Sequence, residues 1–225
     1  MTTLWRVISS SVGTKVLLAL SGLALSAYLI IHLIGNAFIF LGPDMLNQWG
    51  HRLISNPLVV PAEIGLLLIF VIHVYKAVVN WWENRQARPV AYVEKRWAGH
   101  TSRKNYGSAT MIFTGAIILM FVIVHVTTFK YGRFYPVAGE PGVRDLYRLV
   151  IEAFSDPLTA GLYVGVMLLI GFHLRHGVSS AFQSLGADGP RFTPAVILAG
   201  WLLAILLAAG FAFIPIWVYF RLGQA

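Results

Sequence analysis

The sequence contains no cysteine and few charged residues. Of its 225 residues, 12% are charged and 57% are hydrophobic, and the mean hydropathy is +0.71. A soluble domain carries about a quarter charged residues, so this composition leaves little room for a separate soluble domain. The absence of cysteine excludes an iron–sulfur cluster, a thiolate-bound metal, a covalently attached c-type haem and a disulfide. We therefore expect one all-α integral membrane domain over residues 1–225.

The net charge of +8 has a different meaning in a membrane protein than in a soluble one. In a soluble protein it would suggest nucleic-acid binding. Here it is explained by loops that face an anionic cytoplasmic leaflet, so we expect membrane lipid and no nucleic acid as a partner. With the N-terminus inside, eleven of the 17 basic residues lie on the cytoplasmic side and six lie outside. The positive-inside rule thus predicts an inside N-terminus and, after five spans, an outside C-terminus.

Five apolar segments are each long enough to cross a bilayer as an α-helix. We predict these helices, numbered I–V, at about 14–41, 59–82, 105–129, 158–185 and 193–220. The segment between helices I and II is expected to be a short loop. Between helices III and IV, apolar residues recur at helical spacing, which predicts a short interfacial helix at about 144–154. Helix V has neither charge nor histidine, so we expect it to be peripheral.

Helices I–IV each carry a histidine inside the span. An imidazole in hydrocarbon is costly without a partner, so each is a functional candidate. At about 1.5 Å per residue, His32 and His125 fall in the predicted outer half, and His73 and His173 in the inner half. Two bis-histidine haems stacked in a helical bundle would need these two layers, because imidazole is a common axial ligand of haem.

Two other interpretations of the histidines stay open. A single intramembrane histidine can simply hydrogen-bond a neighbouring helix. A transporter or proton channel without haem also uses buried ionisable groups, although it usually adds carboxylates at the midplane. The one carboxylate within a predicted span is Glu63, near the start of helix II.

Several short motifs follow one another through most of the chain. They are Lys15-x5-Ser21-Gly22, His32-x2-Gly35-Asn36, His73-x2-Lys76-Ala77, Asn84-x2-Ala87-Arg88-Pro89 with Tyr92, Ser102-Arg103, His125, and Phe172-His173-Leu174-x2-Gly177 leading to Phe182-Gln183-x-Leu185-Gly186. This order and spacing resemble the five-helix, dihaem cytochrome b558-type membrane anchor of succinate dehydrogenase, or complex II.

The resemblance implies two haem b groups, enclosed by helices I–IV. His73 and His173 would ligate the proximal haem, on the cytoplasmic side, and His32 and His125 the distal one. The chain would itself be non-catalytic and would pass electrons to menaquinone in a bacterial cytoplasmic membrane, within the respiratory chain and the tricarboxylic acid cycle. Its partners would be a flavoprotein and an iron–sulfur subunit on the cytoplasmic side, and the complex could form a trimer.

Further candidate residues surround these layers. His176 and Arg175 could pair with haem propionates, although Arg175 could also snorkel to the headgroups. Candidate quinone-site residues are Lys15 and Ser21 on the inner side and Glu63, Trp49 and His51 on the outer side. Ser21 could instead bond its own helix, and Glu63 could simply favour the helix dipole. His51 could also be a solvated loop histidine.

The direction of electron flow stays open at this point. The same anchor could serve a fumarate reductase, and a hydrogenase or formate dehydrogenase also has a membrane cytochrome b subunit with two haems. The sequence does not determine which face holds the working quinone. The basic N-terminus and the loop between helices II and III are the predicted docking face for the soluble subunits.

Overall fold

The computed structural model describes residues 3–87, 106–187 and 189–221. Much of the predicted basic docking loop, with Arg88, Lys95, Arg96, Arg103 and Lys104, lies outside these ranges, as do Tyr92 and Ser102 of the motifs.

Eight α-helices and one short β-hairpin account for most of the described residues. The helices are α1 (Thr3–Ser9), α2 (Ser11–Ala37), α3 (Pro43–Ile54), α4 (Val59–Gln86), α5 (Tyr106–Phe129), α6 (Leu146–Ser155), α7 (Pro157–Ser184) and α8 (Phe192–Arg221). A 3-10 turn, Phe38–Leu41, extends α2, and the antiparallel strands β1 (Pro136–Val137) and β2 (Glu140–Arg144) follow α5.

Five of the described helices are long and apolar enough to cross a membrane. They cover Ser11–Leu41, Val59–Gln86, Thr110–Phe129, Pro157–Ser184 and Phe192–Arg221. Within the most apolar part of α4 only 6% of residues are buried by protein, and within that of α5 none are. Such exposed apolar surface suits lipid rather than water, because a helix satisfies its own backbone hydrogen bonds. The prediction of an all-α membrane protein with five spans is confirmed.

The expected loop between helices I and II is wrong, because most of this segment forms α3. Pro43 occupies the first turn and Asp44 follows it, and both favour a helix start. Leu46 is buried, and Gly50 lies against the side chain of Leu146 on α6. The segment is too polar to span a membrane, and it is stabilised as a helix by packing against α6.

Four of the membrane helices form a ring, and α8 packs on its outside. In the ring, α2 packs against α4 and α7, and α5 packs against α7 and α4. The ring order is thus α2–α4–α5–α7, with α2 opposite α5 and α4 opposite α7. Outside the ring, α8 packs mainly along α7 and also against α2, with Leu207 and Val218 fully buried.

The bundle has two ends, named here by the short helix found at each. At the α1 end, α2 and α8 begin and α4 and α7 end. At the α6 end, α3, the hairpin and α6 lie together. Buried Asn47 of α3 donates from Nδ2 to Asp145 Oδ1 (3.0 Å) and accepts at Oδ1 from the Tyr147 amide (2.9 Å). Asp145 Oδ1 also accepts from the Arg148 amide and so caps α6.

Arg144 closes the C-terminal end of α5. Its guanidinium donates to the carbonyl oxygens of Phe129 (2.9 Å), Lys130 (3.0 Å) and Arg133 (2.7 and 3.1 Å). The last carbonyls of a helix have no partner within the helix, so a cationic donor there satisfies them. Burial lowers the pKa of the Arg144 guanidinium, in keeping with its partial withdrawal from solvent. Arg144 thus fixes the end of α5 to the hairpin.

We expect Arg144→Ala to lower the free energy of unfolding by about 2–3 kcal/mol, because several carbonyls lose a charged donor at once. Reversible unfolding in mixed detergent micelles measures this change. The matched control is Arg133→Ala, which removes the exposed ion pair with Glu152 but leaves the Arg133 carbonyl in place. Equal losses in the two variants would contradict the assigned role of Arg144.

Candidate functional site

The four predicted ligand histidines lie on the four helices of the ring. The rings of His32 on α2 and His125 on α5 meet edge to face, with centroids 5.7 Å apart. His73 on α4 and His173 on α7 are near enough to interact electrostatically. Each pair therefore comes from opposite helices of the ring, and the His32 and His125 rings are in contact across it. The structure brings together the same pairs as the sequence argument, and their roles as ligands stay predictions.

A hydroxyl group contacts each histidine of the His73/His173 pair. Ser21 Oγ lies 3.2 Å from His73 Nδ1, and Thr114 Oγ1 lies 3.0 Å from His173 Nδ1. Each hydroxyl also donates to its own helix, Ser21 to the carbonyl of Leu17 (2.7 Å) and Thr114 to that of Met111 (3.1 Å). A hydroxyl has one proton to donate, so with that proton on the backbone it accepts from the histidine N–H.

This arrangement selects one tautomer of His73 and His173. With each hydroxyl proton on the backbone, Nδ1 carries the imidazole proton and Nε2 keeps its lone pair. Among the described residues, none donates a hydrogen bond to Nε2 of either ring. Metal-binding histidines are typically oriented in this way, by a hydrogen bond from the nitrogen that does not bind the metal. The pair is therefore prepared to offer two Nε2 atoms to one metal ion.

A glycine on α2 leaves room for the His73 ring to lie close to that helix. A Cβ atom added at Gly22 would lie 3.1 Å from His73 Cε1, which is tighter than an ordinary contact. At Gly115 on α5 the corresponding distance to His173 Cε1 is 3.6 Å, an ordinary contact. Gly22 thus gives the His73 ring its place beside Ser21.

Aromatic rings surround the His32/His125 pair instead. The His32 ring stacks on Tyr28 (centroids 5.4 Å apart) and contacts Phe211 (5.7 Å). Phe211 belongs to α8, so the helix expected to be peripheral contributes directly to the surroundings of this pair. Asn36, one turn after His32, donates from Nδ2 to the His32 carbonyl (2.8 Å) and lies 3.4 Å from its Nε2.

His125 lies within an aromatic cluster at the α6 end. Its ring centroid is 5.6 Å from that of Phe121 and 5.3 Å from that of Phe129, and Tyr163 Oη lies 3.4 Å from its Nδ1. Tyr163 also meets the ring of Phe154 on α6 (4.9 Å). This second layer is thus enclosed by flat apolar surfaces, with one phenol near the imidazole.

The donor set fits haem and does not fit a metal ion held by protein side chains alone. The described residues include no group of three or more histidine, cysteine or acidic side chains that could hold a metal ion. In each layer two imidazoles from opposite helices could hold one b-type haem, which would supply the other nitrogen ligands of its iron. Flat aromatic neighbours suit a flat macrocycle.

The candidate quinone residues lie apart from one another. Lys15 is exposed on α2, and the Ser21 hydroxyl is engaged by His73 and its own helix. Glu63 forms an ion pair with Lys130 that joins the start of α4 to the end of α5. The Glu63 carboxylate raises the pKa of Lys130, chiefly by accepting its hydrogen bond. Both charges also act on Tyr28, the residue stacked on His32.

Trp49 and His51 lie on α3, at the α6 end. Trp49 is 39% exposed, and its ring stacks on Phe38 with centroids 4.9 Å apart. His51 is half-buried in a helix rather than solvated in a loop, and its buried Nδ1 lacks a hydrogen-bond partner among the described residues. The solvated interpretation of His51 is therefore wrong.

The two candidate propionate partners on α7 differ. Arg175 stacks on Trp201 of α8, with its guanidinium carbon 3.9 Å from the ring centroid, so this cation faces away from the ring of helices. His176, one turn after His173, is half-buried. The sequence analysis missed Thr114, Tyr163 and Lys76 as candidates. The signal for Lys76 was its place one turn after His73.

The chain is similar to a curated protein, the succinate dehydrogenase cytochrome b558 subunit of Bacillus subtilis (strain 168). The two are 28% identical over 154 residues, which cover 68% of this chain and 69% of that protein. No family model matches the chain, and no solved structure matches it. The similarity supports the resemblance found in the motifs.

Thr114→Val should lower the free energy of unfolding by about 1–3 kcal/mol, because the His173 N–H loses its acceptor inside the bundle. The matched control is Thr127→Val on the same helix, whose hydroxyl bonds the backbone carbonyls of Ile123 and Val124. The control should change stability by about 0.5 kcal/mol or less. Unfolding in mixed micelles compares the two, and a control effect as large as that of Thr114→Val would refute the contact with His173.

Proposed function

We propose that this chain is the dihaem cytochrome b membrane anchor of a succinate:menaquinone oxidoreductase. The observation that carries the proposal is the placement of four histidines as two pairs, each drawn from opposite helices of one ring. A structural histidine needs one neighbour, and its pairing with a second histidine at a matched depth is not required. Two such pairs at two depths are what two stacked haems need.

The similar Bacillus subtilis protein supports the rest of the proposal. Its name places it in succinate dehydrogenase as a cytochrome b558 subunit. We extend that role to this chain, which then anchors a flavoprotein and an iron–sulfur subunit in a bacterial cytoplasmic membrane. Succinate oxidation belongs to the soluble subunits, and this chain transfers electrons without a dicarboxylate site of its own.

The residues of this chain hold and separate two electron carriers. Bound haem supplies one-electron chemistry that no side chain here offers. His73 and His173 would hold the haem nearer the α1 end, and the contacts of Ser21 and Thr114 with Nδ1 favour the tautomer that leaves Nε2 free to ligate. His32 and His125 would hold the other haem nearer the α6 end, among aromatic rings that exclude water. The two layers form a route across the membrane.

The α1 end faces the cytoplasm in this proposal, and the C-terminus lies outside. The basic N-terminus and the segment after α4 meet the iron–sulfur subunit, so electrons enter at the His73/His173 pair. The assembled complexes form a trimer.

The Glu63–Lys130 pair marks the working quinone site at the α6 end. Both charges act on Tyr28, which stacks on His32, so an ionisable carboxylate lies within electrostatic range of the surroundings of the outer electron carrier. Quinone reduction consumes protons, and Glu63 can deliver them from the surface. Lys15 at the α1 end is an alternative site. Electron transfer outward would draw on the membrane potential, so collapsing the potential should change the succinate–menaquinone rate in intact cells.

The purified protein should contain two b haems per chain. Replacing His73 or His173 by alanine should remove the same haem, and replacing His32 or His125 should remove the other, because each pair ligates one iron. A pyridine haemochrome and a reduced-minus-oxidised spectrum measure this. His51→Gln is the control, since it changes a histidine outside the pairs.

Other outcomes would lead to different conclusions. One haem in the wild type would make one pair structural. A folded preparation without haem would contradict the cytochrome proposal and favour a transporter or proton channel. Copurifying hydrogenase or formate dehydrogenase subunits would assign the cytochrome to those enzymes, and a complex that only reduces fumarate would reverse the direction.

Glu63→Gln should slow quinone reduction by the intact complex while leaving haem content and haem reduction by succinate unchanged. The neutral amide keeps the shape of the side chain but cannot deliver a proton. Steady-state quinone reduction and single-turnover haem reduction separate the two steps. Glu152→Gln, which alters the exposed pair with Arg133 at the same end, is the matched control. If both variants reduce quinone at the wild-type rate, the site lies elsewhere.

A further inference from the structure

Lys76 is a buried cation that the proposed function has not used. Its exposed fraction is 8%, and it lies on α4 one turn after His73, toward the α1 end. Residues three apart on a helix share a face, so Lys76 follows the His73 ring along the same side of α4. By helix rise the two residues are about 4.5 Å apart along the axis.

The protein satisfies only part of the hydrogen-bonding capacity and charge of the Lys76 ammonium group. Nζ donates one hydrogen bond, to the carbonyl oxygen of Ile8 on α1 (3.0 Å). An ammonium group has three N–H donors and a full charge. Tyr75 adds a distant ring contact, with Nζ 5.8 Å from its centroid. Within the described ranges, no carboxylate forms an ion pair with Lys76.

Carboxylates near the α1 end are scarce among the described residues. Seven acidic residues are described, and six of them lie at the α6 end. The seventh, Glu83, is exposed and lies about 10 Å further along α4. A buried charge without a counter-charge is strongly unfavourable, and no described residue supplies one for Lys76, so this site favours a bound anion. Arg175 does not share the role, because it stacks on Trp201.

We propose that Lys76 binds a propionate carboxylate of the haem held by His73 and His173. This inference rests on the proposed function and adds a binding residue to it. A propionate of that haem would be a carboxylate next to the ligand histidine, at a depth where water is scarce, and Lys76 supplies a cation one turn from His73. The hydrogen bond to Ile8 holds the ammonium in place and links α1 to the same haem.

The charge of Lys76 also affects the redox equilibrium. Ferric haem carries one more positive charge than ferrous haem, so a nearby cation favours the reduced form. Removing the charge lowers the midpoint potential of this haem. We expect the equilibrium constant for its reduction to fall on the order of tenfold, as for a unit charge at an effective dielectric constant near 20.

The test is a redox titration of the purified haem-loaded protein, followed optically. The haem that His73→Ala removes identifies the component to watch. Lys76→Met deletes the charge and the donor, Lys76→Gln deletes the charge but keeps a donor for Ile8, and Lys76→Arg keeps the charge. Arg52→Gln, at an exposed site on α3 at the α6 end, removes one positive charge as a control.

Lys76→Gln and Lys76→Met should lower the midpoint potential of that component or release its haem from a folded protein. Lys76→Arg and Arg52→Gln should leave it near the wild-type value. If Lys76→Met fails to accumulate, Lys76→Gln alone decides the matter. Wild-type potential and haem content in Lys76→Gln would overturn the role of Lys76 and leave the two-haem proposal standing. A wild-type protein without haem would overturn the proposed function itself.

Discussion

Much of this structure follows from the cost of placing imidazole groups in hydrocarbon. A polar group buried there must find a partner, because water is not available to replace it. Ser21 and Thr114 meet the requirement for His73 and His173 with hydroxyls that are already bonded to their own helices. When these hydroxyls donate to their own helices, the ring nitrogen that faces each of them carries the proton. This constraint alone does not account for the histidine pairs, because one polar neighbour is enough for a buried imidazole.

The two layers meet the constraint by different means, because the two histidine pairs have different kinds of neighbours. The His73/His173 layer uses aliphatic hydroxyls, a glycine contact and a buried lysine one turn away. The His32/His125 layer uses aromatic rings, a phenol and an amide at longer distances. The first environment is polar on the side of the α1 end, and the second is apolar beneath the hairpin and α6. The two histidine pairs therefore have different electrostatic surroundings.

The sequence predicted the membrane spans because hydropathy and length determine them almost alone. It predicted the histidine layers because depth along a straight helix is a linear function of residue number. It did not predict α3, whose helical state depends on packing between Gly50 and Leu146, nearly a hundred residues apart. It missed Thr114 for a similar reason, since a hydroxyl in an apolar helix usually bonds only its own backbone. The contact between Phe211 of α8 and His32 was likewise not predicted, because it depends on the tertiary packing of α8.

The contact of Arg144 with the end of α5 also bears on the order in which parts of the structure can form. His125 lies on a helix whose last carbonyls are held by Arg144, nineteen residues further along the chain. These contacts with the end of α5 can therefore form only after the hairpin has been translated and has folded back. Its opposite number, His32, belongs to the first span to be synthesised. The contacts that hold the end of the His125 helix are therefore completed only in a chain that has been translated through the hairpin, long after His32 has been made.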